Sequence, residues 1–189
     1  MLAPLLMVLA APMTLALRTL PVDAARGLSR VLKTRPIRTL SDPMVASLLN
    51  VGGLWILYTT DLFIAMQKTP FLHRLIHLHV FLAGYLFTAS MIYIDPVPHR
   101  SSFLYRASVL LIALAAHGIL AKYIYAHPPG GVLRSQAESG AMLMYYGGDA
   151  IDLILLFIFF LQWYKATRPH LHKNFMKEQP IIAKDKRGV

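Results

Sequence analysis

Side chains that could bind a metal ion or carry protons lie within apolar stretches of this 189-residue chain. They are histidines and aspartates, namely His73, His77, His79, His117, Asp61, Asp149 and Asp152. Ionisable groups within a membrane span are costly, so they are functional candidates by default. Imidazole is a common metal ligand and also a proton carrier near neutral pH. These residues therefore indicate either a metal site or a proton relay.

The spacing of the histidines limits how one helix could present them. His73 and His77 are one helical turn apart and could bind one metal ion together. His77 and His79 lie on nearly opposite faces of a helix, so a helix cannot direct both at one ion. We expect His77 or His79 to approach His117 on another helix, together with at least one of Asp61 and Asp149.

Methionines supply the soft donors of this chain, because it contains no cysteine. Met66, Met142 and Met144 lie near the same ends of the predicted spans as the histidines. Thioether plus imidazole favours copper, especially Cu(I), over magnesium or calcium, whereas imidazole alone would also allow zinc. Methionine is also common filler in apolar helices. Met142 and Met144 are therefore weaker candidates than the histidines, as are Asp61 and Asp149.

Each ionisable group also has a purely structural interpretation. Asp149 and Asp152 are three residues apart, and either could pair with Lys122 to neutralise a buried charge. Asp61 could simply approach the lipid headgroups. His117, beside a glycine, could form an interhelical hydrogen bond.

The elements that would position these groups are membrane helices. Hydrophobic residues make up 56% of the chain and charged residues 15%, against about 25% charged in soluble domains. At roughly 20 apolar residues for each span, the composition predicts an all-α, polytopic transmembrane helix bundle of about five spans. We place them at about 1–17, 44–66, 75–94, 105–126 and 140–164.

These spans form one predicted domain, residues 1–165. Between the first two spans, residues 18–43 are basic, and apolar residues recur there at helical spacing. This pattern is typical of an amphipathic helix at the membrane surface, and we expect Pro36 to end it. Residues 166–189 form a basic tail.

The positions of the basic residues orient the bundle. In the alternating scheme, fifteen of the 19 Lys and Arg lie on one side and only three on the other. Because basic loops stay in the cytoplasm, we predict the N-terminus outside and both the amphipathic segment and the tail inside. The net charge of +10 thus reflects topology and contact with the lipid bilayer, and it does not indicate nucleic-acid binding.

The sequence contains no motif of hydrolytic or nucleotide chemistry. We find no Ser/His/Asp arrangement, no phosphate-binding glycine loop and no HExxH. We therefore predict that the protein is not an enzyme.

The order of short motifs resembles the CtaG-type cytochrome c oxidase assembly factors of bacteria. The most specific stretch is Gly84-Tyr85-Leu86-Phe87, preceded by His73 to His79 and followed by Asp95-Pro96-Val97-Pro98. The other matching positions are Ala11-Pro12, Leu20-Pro21, Arg35-Pro36, Asp42-Pro43, His117-Gly118, Gln136, Gly140 and Gly147. The chain looks like the last five helices of the family's usual seven.

This resemblance implies a multi-pass protein of the bacterial cell membrane that assists copper delivery to, or insertion into, the oxidase. His73, His77 or His79, and His117 match histidine positions of the family, which makes copper the expected metal. The implied partners are a cytochrome c oxidase subunit or other copper proteins.

Two other functions agree with the same residues. A haem- or quinone-linked membrane electron carrier would use His77 or His79 with His117 as axial ligands and would show a Soret band. A copper or proton transporter would use the histidines and aspartates as a relay, and it would need polar groups down to the inner leaflet.

Overall fold

The computed structural model describes residues 18–94 and 101–168, which are almost entirely helical and contain no strand. The all-α prediction is confirmed for this part of the chain. The helices are α1 (Val22–Leu32), α2 (Arg35–Leu40), α3 (Pro43–Thr59), α4 (Leu62–Lys68), α5 (Pro70–Met91), α6 (Phe103–Ala126) and α7 (Arg134–Thr167). The predicted first span, 1–17, and the tail from 169 onward lie outside the described residues.

The predicted amphipathic segment forms two short helices instead of one. α1 ends at Leu32, and the hydroxyl of Thr34 donates to the carbonyl oxygen of Val31 at 2.7 Å. The expectation that Pro36 ends the helix is wrong. Pro36 lies in the first turn of α2. Proline is suited to that position because a backbone N–H in the first turn has no partner within the helix, so its absence breaks no hydrogen bond.

Asp42 fixes the start of α3. Its carboxylate accepts hydrogen bonds from the backbone N–H groups of Met44, at 2.9 Å, and Val45, at 3.4 Å. This is the usual role of aspartate at a helix N-cap, and Pro43 follows in the first turn. The hydroxyl of Tyr105 on α6 donates to the same carboxylate at 3.1 Å, which joins the starts of the two helices.

The predicted second span, 44–66, is bent in the structure, because α3 stops at Thr59 and α4 turns away by 80°. The hydroxyls of Thr59 and Thr60 donate to backbone carbonyl oxygens one turn earlier, at 2.7 and 2.6 Å. Such bonds compete with the backbone pattern of a helix. Asp61 follows in the bend.

The last three helices begin before their predicted starts. α5 begins at Pro70, so His73, His77 and His79 share one continuous helix. α6 begins at Phe103, where the side chain of Ser102 accepts from the N–H of Tyr105 at 3.2 Å. α7 begins at Arg134, ahead of the predicted 140.

Two or three segments of the described residues could cross a membrane by length and composition. α6 and α7 each qualify, and α3 with α4 would add a third if the bent pair is one span. α5 is long enough, but its polar first half, with three histidines and Arg74, lowers its hydropathy. The count of five spans stays a prediction.

α6 is the central helix, and it packs against α3 and α7. The main core is formed by Phe87, Met91, Leu110, Leu155 and Phe159, which come from α5, α6 and α7. The indole Nε1 of Trp55 on α3 donates to the carbonyl oxygen of Ala116 on α6 at 3.2 Å. This bond fixes α3 beside the backbone that carries His117.

Arg106 is buried at one end of this core, with only 1% of its surface exposed. Its Nη1 donates to the carbonyl oxygen of Met91 at 2.6 Å. The guanidinium lies 4.0 Å from the ring centroid of Tyr93, 4.5 Å from that of Phe103 and 5.1 Å from that of Phe159. Arg106 thus joins α5, α6 and α7.

Candidate functional site

His117 and Asp152 face each other between the two longest helices. The imidazole Nδ1 lies 3.9 Å from the carboxylate Oδ2, and both side chains are almost fully buried. This separation is within range of an ion pair when the imidazole is protonated, but it is too long for a hydrogen bond. A small local movement would bring the two groups into direct contact.

The buried stripe of α7 decides which aspartate faces His117. Gly148, Asp152, Leu155 and Phe159 are all buried, and their spacing of four, three and four residues follows one face of a helix. Asp149, one position away from that stripe, is exposed. The predicted candidate Asp149 therefore does not occupy this position, and Asp152 does.

Gly148 makes room for the imidazole of His117. A Cβ added at Gly148 would lie 2.6 Å from Cε1 of His117 and 3.2 Å from its Nδ1. Real Cβ atoms essentially never approach this closely. The backbone of α7 thus forms one wall of the site around the imidazole, and Asp152 lies one turn further along.

Gly53 has the same relationship to His79. A Cβ at Gly53 on α3 would lie 2.8 Å from Nε2 of His79 on α5. The side chain of His79 is otherwise exposed. Both close approaches thus pair a histidine of one helix with a glycine of its neighbour.

The two glycines occupy equivalent positions in their helices. Each directly follows a π-helical turn, Leu48–Gly52 in α3 and Leu143–Gly147 in α7. Single π-turns inside α-helices occur often at functional sites, because they shift the faces of the helix on either side. Here each π-turn precedes a glycine that contacts an imidazole.

His73 and His77 form a second pair of imidazoles, on the exposed face of α5. Their ring centroids are 4.4 Å apart, as expected for residues one turn apart, and both side chains are exposed. The two rings therefore lie where a ligand could reach both without opening the core.

The weaker candidates lie in several places. Asp61 is exposed at the bend between α3 and α4, and Met142 is exposed on α7. Met144 is half-buried and lines an apolar cavity with Tyr58 and Phe63. Met66 is buried. No interaction brings these four residues to His117 in the described part of the chain.

Lys122 does not neutralise the aspartates of α7. Its Nζ lies 5.2 Å from the ring centroid of Tyr145, and Asp152 faces His117 instead. Among residues 18–94 and 101–168, Lys122 forms no ion pair with Asp149 or Asp152. The structural interpretation of these two aspartates as partners of Lys122 is therefore not supported.

The described residues do not collect the predicted ligands in one place. Within them, no group of three His, Asp or Glu side chains could hold one metal ion. The structure shows instead two separate pairs, His117 with Asp152 and His73 with His77. Which of the candidate residues bind copper stays a prediction.

The sequence analysis missed Gly53 and Gly148, although a signal was present. Each is the second residue of a Gly-Gly pair within an apolar segment, Gly52-Gly53 and Gly147-Gly148. Glycine inside a helix costs about 1 kcal/mol relative to alanine, so two such pairs in predicted spans indicate close approach of another group.

A comparison with protein families matches residues 1–166 to the family described as cytochrome c oxidase caa3 assembly factors. This family agrees with the resemblance that the motifs indicated. No solved structure matches the chain.

Similar proteins occur in mycobacteria. The chain is 36% identical over 124 residues to the uncharacterized protein Mb0105 of Mycobacterium bovis and to MT0111 of Mycobacterium tuberculosis. It is 34% identical over the same length to ML1998 of Mycobacterium leprae. Each match covers 62% of this chain but only 19% of the relative, so the chain corresponds to a small part of these longer proteins.

Proposed function

Because the chain belongs to the family of cytochrome c oxidase caa3 assembly factors, we propose that it assists copper delivery to the oxidase. In this proposal, copper is cargo that enters from the outer side of the bacterial cell membrane. The protein, a multi-pass membrane protein, passes the ion to an oxidase subunit or to another copper protein. No bond of a substrate is made or broken, so the role is that of a metallochaperone and not of an enzyme.

The pair of His117 and Asp152 is the observation that carries this proposal. A buried imidazole facing a carboxylate is a common arrangement around metal-binding histidines, because the carboxylate orients the ring and makes it a better donor. Gly148 leaves space for the ring in contact with the α7 backbone. We expect His117 to be the deeper of the copper donors.

The exposed pair on α5 suits the entry of the ion. A metal ion shared between two imidazoles, at about 2 Å from each nitrogen, needs nitrogens about 4 Å apart. The ring centroids of His73 and His77 lie 4.4 Å apart, so rotation of the two exposed side chains could bring one nitrogen of each ring to a shared ion. Cu(I) accepts soft and imidazole donors and is stable with two of them, so a pair is sufficient to hold it briefly.

The test is oxidase assembly in cells that lack the gene. We expect deletion to lower the copper content and activity of the purified oxidase, and added copper to restore part of both. His117→Ala should have the effect of deletion while the protein remains in the membrane. The matched control is His127→Ala, at the end of the same helix, where the side chain is exposed and stacks on Tyr123.

Normal oxidase copper in both the deletion and the His117→Ala strain would contradict the proposal. The absorption spectrum of the purified protein distinguishes copper delivery from the alternative function, a haem-linked electron carrier. A Soret band that disappears in His117→Ala would assign the histidine to haem instead of copper.

A further inference from the structure

A basic hollow lies beside α1, ahead of the bundle. Four cationic side chains, one hydroxyl and three apolar side chains line it, namely Arg18, Arg26, Arg30, Lys33, Ser29, Leu20, Val22 and Ala25. Its volume is about 570 Å³, which is within the range of small-molecule sites. The hollow therefore combines cationic and apolar side chains.

The charges of this basic hollow are only partly neutralised within the described residues. Asp23 lies 3.7 Å from Arg26, with both side chains largely exposed. An ion pair at such an exposed position contributes little. The hollow therefore keeps a strongly positive potential, which favours an anion.

The described residues of the bundle leave the apolar residues of α1 at most partly covered. No residue of α1 is buried, and Val22 and Val31 are more than half exposed. A short helix with a basic face and an uncovered apolar face is typical of a segment at the membrane surface. α2 joins α1 directly to α3, so α1 stays close to the end of a candidate span.

From this charge and apolar pattern we propose that the basic hollow binds the phosphate of an anionic phospholipid. Arg26, Arg30 and Lys33 contact the headgroup, and the apolar side of α1 faces the acyl chains. Free phosphate would satisfy the cations but would leave the apolar side in water. The proposal concerns a part of the chain away from the histidines and does not rest on copper delivery.

The experiment uses the full chain in a non-ionic detergent, with bound lipid counted by intact-mass spectrometry. The probes are phosphatidylglycerol, phosphatidylcholine and inorganic phosphate. The test variant is Arg26→Gln/Arg30→Gln, and its matched control is Arg35→Gln/Arg38→Gln, which removes the same charge from exposed positions on α2. Arg26→Lys/Arg30→Lys keeps the charge.

We expect the chain to bind phosphatidylglycerol in preference to phosphatidylcholine. The Gln pair in the hollow should weaken this binding roughly tenfold, since each basic residue near an anionic surface contributes measurably. The α2 control should change it less than about twofold, and the Lys pair should retain most of it. Equal losses in the hollow and α2 variants would overturn the proposal, and so would competition by millimolar phosphate that abolishes the lipid preference.

Discussion

The imidazole of His117 lies against the backbone of Gly148, with a Cβ at that position only 2.6 Å from Cε1. Asp152, one turn further along α7, faces the same ring. The environment of this histidine therefore depends on one face of α7, which presents a glycine and a carboxylate to the ring. Both features can be altered separately, and each alteration has a matched control on the same helix.

Gly148→Ala should displace His117 and destabilise the protein. The added methyl overlaps a buried ring, and overpacking of this kind costs typically 1–3 kcal/mol. Thermal unfolding in detergent, followed by circular dichroism, measures the change. The control is Gly147→Ala, where the nearest side-chain atom lies at 3.6 Å, an ordinary contact, and where we expect no loss of stability.

Gly53→Ala should move His79 at little cost in stability. The atom in the way is Nε2, at the far end of an exposed side chain that can rotate. If His79 takes part in copper transfer, oxidase copper content should fall while the unfolding temperature stays the same. Gly52→Ala, which meets nothing within 4 Å, is the control, and equal copper content in the two variants would count against a role for His79.

Asp152→Asn should weaken copper binding without removing a ligand. Loss of a carboxylate that supports a ligating histidine lowers metal affinity about 10- to 100-fold. Copper binding by the purified protein, measured by competition with a chromophoric chelator, checks this. Asp149→Asn removes a charge from the exposed side of the same helix and should change the affinity less than about twofold. An unchanged affinity in Asp152→Asn would show that the pair is structural.

Arg106→Met should destabilise the junction of α5, α6 and α7. It leaves the buried carbonyl oxygen of Met91 without its donor, which costs about 1–3 kcal/mol, and it removes cation–π contacts with three rings. Denaturation in detergent measures the loss. Arg134→Met, at a largely exposed arginine paired with Glu138, should stay within about 0.5 kcal/mol of the wild type.

Topology reporters should place the loop at Pro129 outside and Lys173 inside. Contacts already bring the predicted cytoplasmic segments to one end of the bundle, since Tyr105 bonds Asp42 and Phe103 stacks on Trp163 at 5.8 Å. The side of the membrane follows from the uneven distribution of Lys and Arg. A cytoplasmic Pro129 reporter would reverse the orientation and with it the proposed entry of copper.

Much of the fold could be predicted because it depends on local sequence. The helices α6 and α7 follow from long apolar runs, and the start of α3 follows from Asp42-Pro43, a capping residue followed by proline. The bend after Thr59 was missed because apolar residues continue on both sides of it. The threonine hydroxyls there bond to the preceding turn and compete with the backbone pattern of the helix, which a hydropathy average does not detect.

The sequence by itself determined that the chain is helical and membrane-type, and that His117 and an aspartate of the last helix are candidates. Composition and apolar run length are enough for this, because they act through solvation of each segment alone. Only the tertiary structure decided that Asp152 and not Asp149 faces His117. It also decided that the imidazoles of His117 and His79 pack against glycines of neighbouring helices. These choices depend on which face of each helix packs against its neighbour, and a π-turn within each helix shifts that face in a way that helical periodicity does not predict.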